Sequence, residues 1–438
     1  MHPFRRLSLQ VTLPRLLGFV LGVLLATHLV LLGFFKISSE DTWWHLKQGE
    51  LYVSSWSLPP QDPFAFTTGG RQWIHYSWLA DILFYLVFRA AGFPGLVLLR
   101  LFLLLPIALL LYKLLRDCGL HPLAAMLLVF VASLALRFRL LVRPEILSFL
   151  LLVVTLGIVL RLRSAYPQAA YLLLPVQVVW TNIHASFLFG FGLPGLVLLA
   201  NLLPGTRSAP GWGRLRLDRP RLRHLATAVA CLPFASLLNP GGASMLFSPF
   251  RQNRMRGLTT FAEWTEVWNL PRIDPVWWEV VIVLSVVLVV FTATAVILLV
   301  RECRFDSVGW GIVLTMGTYA VLRNRAVPYF VIALLPLLAL ALVRVAGHLP
   351  ARGVEKPHRW LERIGALACL LLLTASILDQ AFLTSRNPSG FGVRSHFFPQ
   401  AATAFLERHR LDGRVFNTYE FGGYLIWRRW PANQVFID

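Results

Sequence analysis

Apolar runs of roughly 15 to 25 residues, joined by arginine-bearing connections, limit this chain more than any other feature. In hydrocarbon each backbone N–H and C=O must be paired inside its own segment, so such runs fold as helices. The first run, about Val11 to Phe35, is long enough to cross a bilayer and has no small-residue cleavage site behind it. It reads as a retained span rather than a signal peptide. Hydrophobic residues make up 57% of the 438 and charged residues 14%, which excludes a soluble domain and points to an all-α polytopic membrane protein.

We read about eleven spans, near 11–35, 94–115, 122–137, 145–161, 169–183, 186–203, 225–238, 278–300, 307–322, 326–346 and 363–382. Residues 77–92, SWLADILFYLVFRAAG, are apolar but short and carry Asp81 and Arg89. Their crossing or not decides the side of every later loop. If they lie in the interface, the loops bearing Arg161 and Arg163, the 204–224 arginines, Arg301 and Arg304, and Arg352, Lys356 and Arg359 all stay with the N-terminus. The positive-inside bias then puts them in the cytoplasm, so 77–92 is expected to be interfacial. The resulting layout is a transmembrane domain over 1–382 and an extracytoplasmic segment over 383–438. Within the former lie a long first external loop at 36–93, a basic cytoplasmic loop at 204–224 and an external loop at 239–277. The 383–438 segment reads as a small α/β unit, and its end in the strand-like VFID suggests a natural protein that continues.

The net charge of +20 comes from 41 basic and 21 acidic residues. The basic residues sit between apolar runs, which suits membrane topology and anionic lipid rather than a nucleic-acid partner. Cys118, Cys231, Cys303 and Cys369 lie in or beside apolar runs, with no metal or redox spacing, so neither a disulfide framework nor a cysteine metal site is expected.

Under this topology the unusual polar motifs gather on the external face. DTWWHLKQGE (41–50), DPF (62–64) and HYSW (75–78) fall in the first loop, and RPE (143–145) and NIH (182–184) close later turns. NPGG (239–242), FAEW (261–264) and RNR (323–325) follow. Charged groups at membrane helix ends tend to mark sites. Asp41 suits a general base for an acceptor hydroxyl or amine, or an N-cap of the helix that follows. His45 lies four residues on, on the same helix face, as a substrate or metal group or as an interfacial histidine. Asp62, Glu145, Asn182, His184, Glu263 and Trp264 are candidates for substrate contact, each against an ordinary helix-end or loop role. Arg143, Arg323 and Arg325 match phosphate oxygens, or snorkel at the boundary. Trp43, Trp44, Trp73 and Trp78 read as an aromatic belt. Gly422-Gly423 fits a hairpin, or a stretch in which Tyr419 and Glu420 touch acceptor.

This arrangement resembles the GT-C superfamily of membrane glycosyltransferases, which use polyprenyl-linked sugars on the external face. EDTWWH after the first span, juxtamembrane helices in a long first loop and charged motifs at later turns carry the resemblance. The tail GRVFNTYEFGGYLIWRRWPANQVFID looks like the region of oligosaccharyltransferase catalytic subunits that bears a Trp-Trp-Asp-Tyr-Gly motif. It departs from that motif, reading Thr418-Tyr419-Glu420-Phe421-Gly422. The resemblance implies Asp41 as catalytic carboxylate, Arg143 and Glu145 as a second charged motif, and Arg323 and Arg325 on the lipid phosphate. It implies an inverting transfer from a polyprenyl-phosphate or pyrophosphate sugar to a glycan, lipid or protein acceptor, in a bacterial inner membrane. It allows a divalent metal, Mg or Mn, but the absence of Asp-x-Asp at either motif weighs against an obligatory one. The rivals are a lipid-linked glycan transporter or flippase, and an O-antigen ligase or polymerase. A one-sided set of charges and an acidic first loop weigh against both.

Overall fold

The structure, a computed structural model, describes residues 13–68, 73–202, 217–247, 265–302, 306–348, 355–383, 388–394 and 396–437. It is that of a helical membrane protein. Among the described residues six helices are long and apolar enough to cross a membrane: Leu16–Gly33, Trp78–Asp117, Pro122–Arg139, Ala185–Leu202, Pro275–Glu302 and Asn324–Gly347. Two shorter apolar helices, Ser307–Leu322 and Gly365–Ala381, accompany them.

The chain starts with α1 (Leu13–Gly33), α2 (Asp41–Ser55), α3 (Trp78–Asp117), α4 (Pro122–Leu136) and α5 (Glu145–Arg161). It continues with α6 (Leu173–Thr181), α7 (Leu188–Leu202), α8 (Arg219–Ser236) and α9 (Trp278–Glu302). Then come α10 (Ser307–Leu322), α11 (Val327–Gly347) and α12 (Glu355–Leu378). Proline in the first turn of α4, α8 and α11 costs no hydrogen bond and presets the helical φ. α11 is buried along most of its length and packs on α3, α4, α5 and α9, which makes it the central post of the bundle.

α3 changes direction at Gly92, where φ +61° and ψ −154° suit only glycine. Before the break, α3 runs antiparallel to α2: Gly49 meets Asp81 and Tyr85, and Trp43 meets Phe93. After it, α3 turns along α1, with Leu101 against Gly33. Arg100 fixes this junction. Its buried guanidinium donates to the Gly33 carbonyl at 2.8 Å and to the Phe35 carbonyl, and lies 3.5 Å from the Phe35 ring centre. The last carbonyls of a helix lack intrahelical donors, and a cation there is favourable.

The tail folds as α13 (Gln400–Arg408), β1 (Gly413–Val415), α14 (Tyr419–Arg429) and β2 (Asn433–Val435). β1 and β2 are parallel, with Gly413, Arg414 and Val415 opposite Asn433, Gln434 and Val435. Val435 also bridges Ala65, and Ile37 bridges Val393, so the tail pairs with the 34–66 region. The hairpin reading of Gly422-Gly423 is corrected. Both lie inside α14, because a parallel pair of strands needs a crossover, which a two-residue turn cannot supply. Gly423 is small for a packing reason. A Cβ there would stand 2.9 Å from the Glu40 carbonyl oxygen, so α14 rests on the start of α2.

The belt reading is also corrected for Trp43. It is buried among Phe93, Phe398 and Tyr424, with edge-on ring contacts at 5.5, 5.0 and 4.9 Å. Two elements far apart in sequence close over it. Trp44 and Trp73 pack at the neighbouring cluster of Phe64, Leu425, Ile426 and Val435.

Candidate functional site

The segment between α4 and α5 carries three arginines that hold carboxylates: Arg137 meets Glu279 and Asp379, while Arg139 and Arg143 hold acids singled out in the sequence. Arg143 reaches Asp41 at 3.3 Å and Glu40 at 3.9 Å, and its Nε donates to the Ser39 hydroxyl at 2.6 Å. Thr42 donates to the Val142 carbonyl at 3.0 Å, so the start of α2 is tied to this segment at two points. Asp41 is the first residue of α2. The N-cap is Glu40, which makes no side-chain cap, so the capping role weighed for Asp41 is not the one it takes. Its carboxylate faces Arg143 and stays 36% exposed, held yet reachable by an acceptor.

Two residues beyond Arg143, Glu145 opens α5 in the opposite condition. It is buried, and its Oε2 accepts from Arg139 Nε at 2.9 Å and from Nη2 as well. Its Oε1 is buried with no hydrogen-bond partner. Tyr329 of α11 lies within electrostatic reach of both Glu145 and Arg325. Its hydroxyl donates to Ser186 Oγ at 3.1 Å, and Ser186 Oγ lies 2.7 Å from His184 Nδ1. Tyr329, Ser186 and His184 therefore form one hydrogen-bonded chain, with Glu145 and Arg325 near enough to act on Tyr329 electrostatically.

The remaining predicted residues divide. His45 turns away from Asp41 and pairs with buried Asp81 at 2.7 Å, while Ser77 donates to the other Asp81 oxygen at 3.1 Å. A shared helix face with Asp41 did not bring them together, because α3 packs on that side. Asn182 acts as a joint between α3, α6 and the turn after α8. It accepts from Trp78 Nε1 at 2.7 Å and from Asn239 at 3.0 Å, and donates to the Leu238 carbonyl at 2.8 Å. It edges an open cleft of about 530 Å³ with Trp78, Leu238 and Pro240. Asp62 accepts from the Phe64 N–H at 2.8 Å in the turn that meets the tail. Burial lifts its carboxyl above the ordinary range, against the backbone bonds that oppose the shift.

Tyr419 and Glu420 begin α14, both exposed, about one turn ahead of the Gly423 that meets Glu40. Arg323 donates to the Leu322 carbonyl at 2.9 Å, and the Asn324 N–H donates to Thr265 at 3.3 Å. Glu263 and Trp264 lie outside the described residues.

Sequence reasoning noted Asp81 without assigning it a role, and it gave none to Arg139, Ser186 or Tyr329. The signal for Arg139 was its place four residues before Arg143. Nothing in the sequence pairs Tyr329 with Ser186, 143 positions apart. Among the described residues no group of three or more His, Cys, Asp or Glu side chains is placed to hold a metal ion.

No family model matches this chain, and no curated protein does. Solved structures do. The oligosaccharyltransferase of Archaeoglobus fulgidus in its apo form superposes with a TM-score of 0.61 at 13% identity, covering 94% of this chain and 63% of that one. The same archaeal enzyme, AglB, in complex with an inhibitory peptide and a dolichol-phosphate gives 0.60 at 12% identity, over 95% and 64%. Its complex with Zn and sulfate gives 0.58 at 13%, over 95% and 62%. This chain thus spans under two thirds of the length of the structures it matches. At such identity the likeness is one of fold alone.

Proposed function

We propose that this chain is a membrane glycosyltransferase that moves a sugar from a polyprenyl-phosphate or pyrophosphate donor to an extracytoplasmic acceptor. The observation that carries the reading is the Asp41–Arg143 pair, which leaves a restrained, part-exposed carboxylate where the chain leaves α1. Its setting is a fold similar to an oligosaccharyltransferase solved with a dolichol-phosphate.

In the proposed reaction Asp41 orients the acceptor hydroxyl or amine and takes its proton. The acceptor atom bonds to the anomeric carbon as the bond to the phosphate oxygen breaks, and the electron pair leaves with the phosphate. Attack opposite the leaving group inverts the centre. Arg323 and Arg325 are assigned to the leaving phosphate, because fixed cations at developing charge lower the barrier most in a water-poor site. Arg143 holds Asp41 in place and Arg139 holds Glu145. Tyr419 and Glu420 are assigned to the acceptor, in an α14 that packs on α2. Two carboxylates each already carrying an arginine do not make a metal cage, so no step is routed through a divalent cation. We place the reaction on the external face of a bacterial inner membrane, with 77–92 in the interface beside the polar helix α2.

Native mass spectrometry of gently purified protein, with and without Arg323→Ala, tests the donor. A co-purifying polyprenyl phosphate, or its glycosylated form, lost in the variant supports the reading. Ordinary phospholipid alone in both samples would turn it toward a transporter.

A further inference from the structure

α3 and α5 both run from the Asp41 end of the bundle to the opposite end, where Asp117 and Arg161 close them. A cleft of about 340 Å³ lies between them at that far end, within the range of small-ligand sites. Leu110 and Leu114 line one wall and Val153, Val154 and Ile158 the other. Leu110 is 38% exposed, so the cleft opens sideways to where lipid would lie.

Two features give it a polarity. Gly157 stands in its wall, and a Cβ there would meet only Arg161 Nη1 at 3.5 Å and Leu114 at 3.6 Å. The missing side chain leaves room for the cleft and for Arg161 to fold along it. Arg161 then crosses the mouth to pair with Asp117, a contact with both side chains more than 40% exposed and hence easily exchanged. At this end of the two helices the chain also carries Lys113, Arg116 and Arg163. Arg221 of α8, itself paired with Asp218, donates to the carbonyl of Ala165, a lining residue, at 3.0 Å. Tyr166, 85% exposed, stands beside them, as aromatic rings do at a membrane boundary.

We infer that this cleft binds an anionic phospholipid, with one acyl chain between α3 and α5 and the phosphate on Arg161 and Arg163. An apolar slot capped by basic groups fits an amphiphile of that charge. A zwitterionic lipid would satisfy the slot but not the mouth, and a free phosphate the mouth but not the slot. The inference does not depend on the glycosyltransferase reading.

The test is a lipid titration of the full chain by native mass spectrometry, with phosphatidylglycerol, phosphatidylcholine and inorganic phosphate as separate probes. Phosphatidylglycerol should bind with the lowest apparent Kd. Arg161→Gln with Arg163→Gln should weaken it about thirty-fold, at about five-fold per basic group near an anionic lipid surface. Gly157→Leu, which fills the slot, should abolish the preference for phosphatidylglycerol, while Gly157→Ala, which meets only ordinary contacts, should keep it and report that the helix pair is intact. Arg219→Gln with Arg223→Gln, the same loss of charge on α8, should change it little. Equal binding of the two lipids, retention in Gly157→Leu, an equal loss in the α8 control, or full competition by inorganic phosphate would each overturn the proposal.

Discussion

Gly49→Ala tests the packing that positions α2, and with it Asp41. A Cβ at Gly49 would stand 2.1 Å from the Asp81 carbonyl oxygen and 2.6 Å from Tyr85 Cβ. Carbon–oxygen contacts settle near 3.3 Å or more, so the overlap is about 1.2 Å. The obstacle is the backbone of α3, which no rotamer change can move aside, and the helices must part. Overpacking of this kind costs about 1–3 kcal/mol, and a backbone clash belongs at the upper end. Better helix propensity returns about 1 kcal/mol, for a net loss of about 2 kcal/mol. A parting of about 1 Å would also stretch the 2.7 Å His45–Asp81 bond beyond useful length, so that loss is a lower bound. For a chain of this size it corresponds to about 2 °C in Tm, within reach of tryptophan-fluorescence melting in detergent. Gly157→Ala is the matched control. Its contacts are ordinary, and it should melt at or slightly above the parent temperature. If Gly49→Ala melts no lower than Gly157→Ala, the close approach of α2 to α3 is wrong.

Further outcomes follow from the same geometry. Asp41→Asn should lower glycosyl transfer about 10²–10⁴-fold with little change in melting, as for a lost general base, and full transfer would remove Asp41 from that role. Arg143→Ala should lower transfer and also free the start of α2, read as faster proteolysis near Glu40. Trp43→Ala empties the aromatic cluster between α2, α3 and α14, for a loss of about 3–5 kcal/mol, and should release the tail to protease before the bundle melts. His75 is held below its ordinary value of 6.5, first by burial. The unfolded chain therefore takes up its proton before the folded one, and stability present above 6.5 is lost as pH falls from there toward the lowered folded value. His75→Gln should flatten that slope in melting curves, and an unchanged slope would move its origin elsewhere.

The run lengths of apolar residues determined a great deal, because a segment that must pair its own backbone in hydrocarbon can only be a helix. The 143–145 motif and the acidic start of α2 were legible for the same reason, as charge at a helix end stands out against its surroundings. Sequence spacing suggested that Asp41 and His45 act together, yet tertiary packing sent one to Arg143 and the other to Asp81. It read Gly422-Gly423 as a turn, where the close approach of α14 to Glu40 was the cause. What the chain determines by itself is the local physics of each segment, since apolar length and periodicity are properties of neighbours in sequence. Which carboxylate meets which arginine, and that Tyr329, Ser186 and His184 join in one chain, was decided only by tertiary structure. Those contacts are set by the crossing of helices far apart in the chain, and no local pattern encodes that crossing.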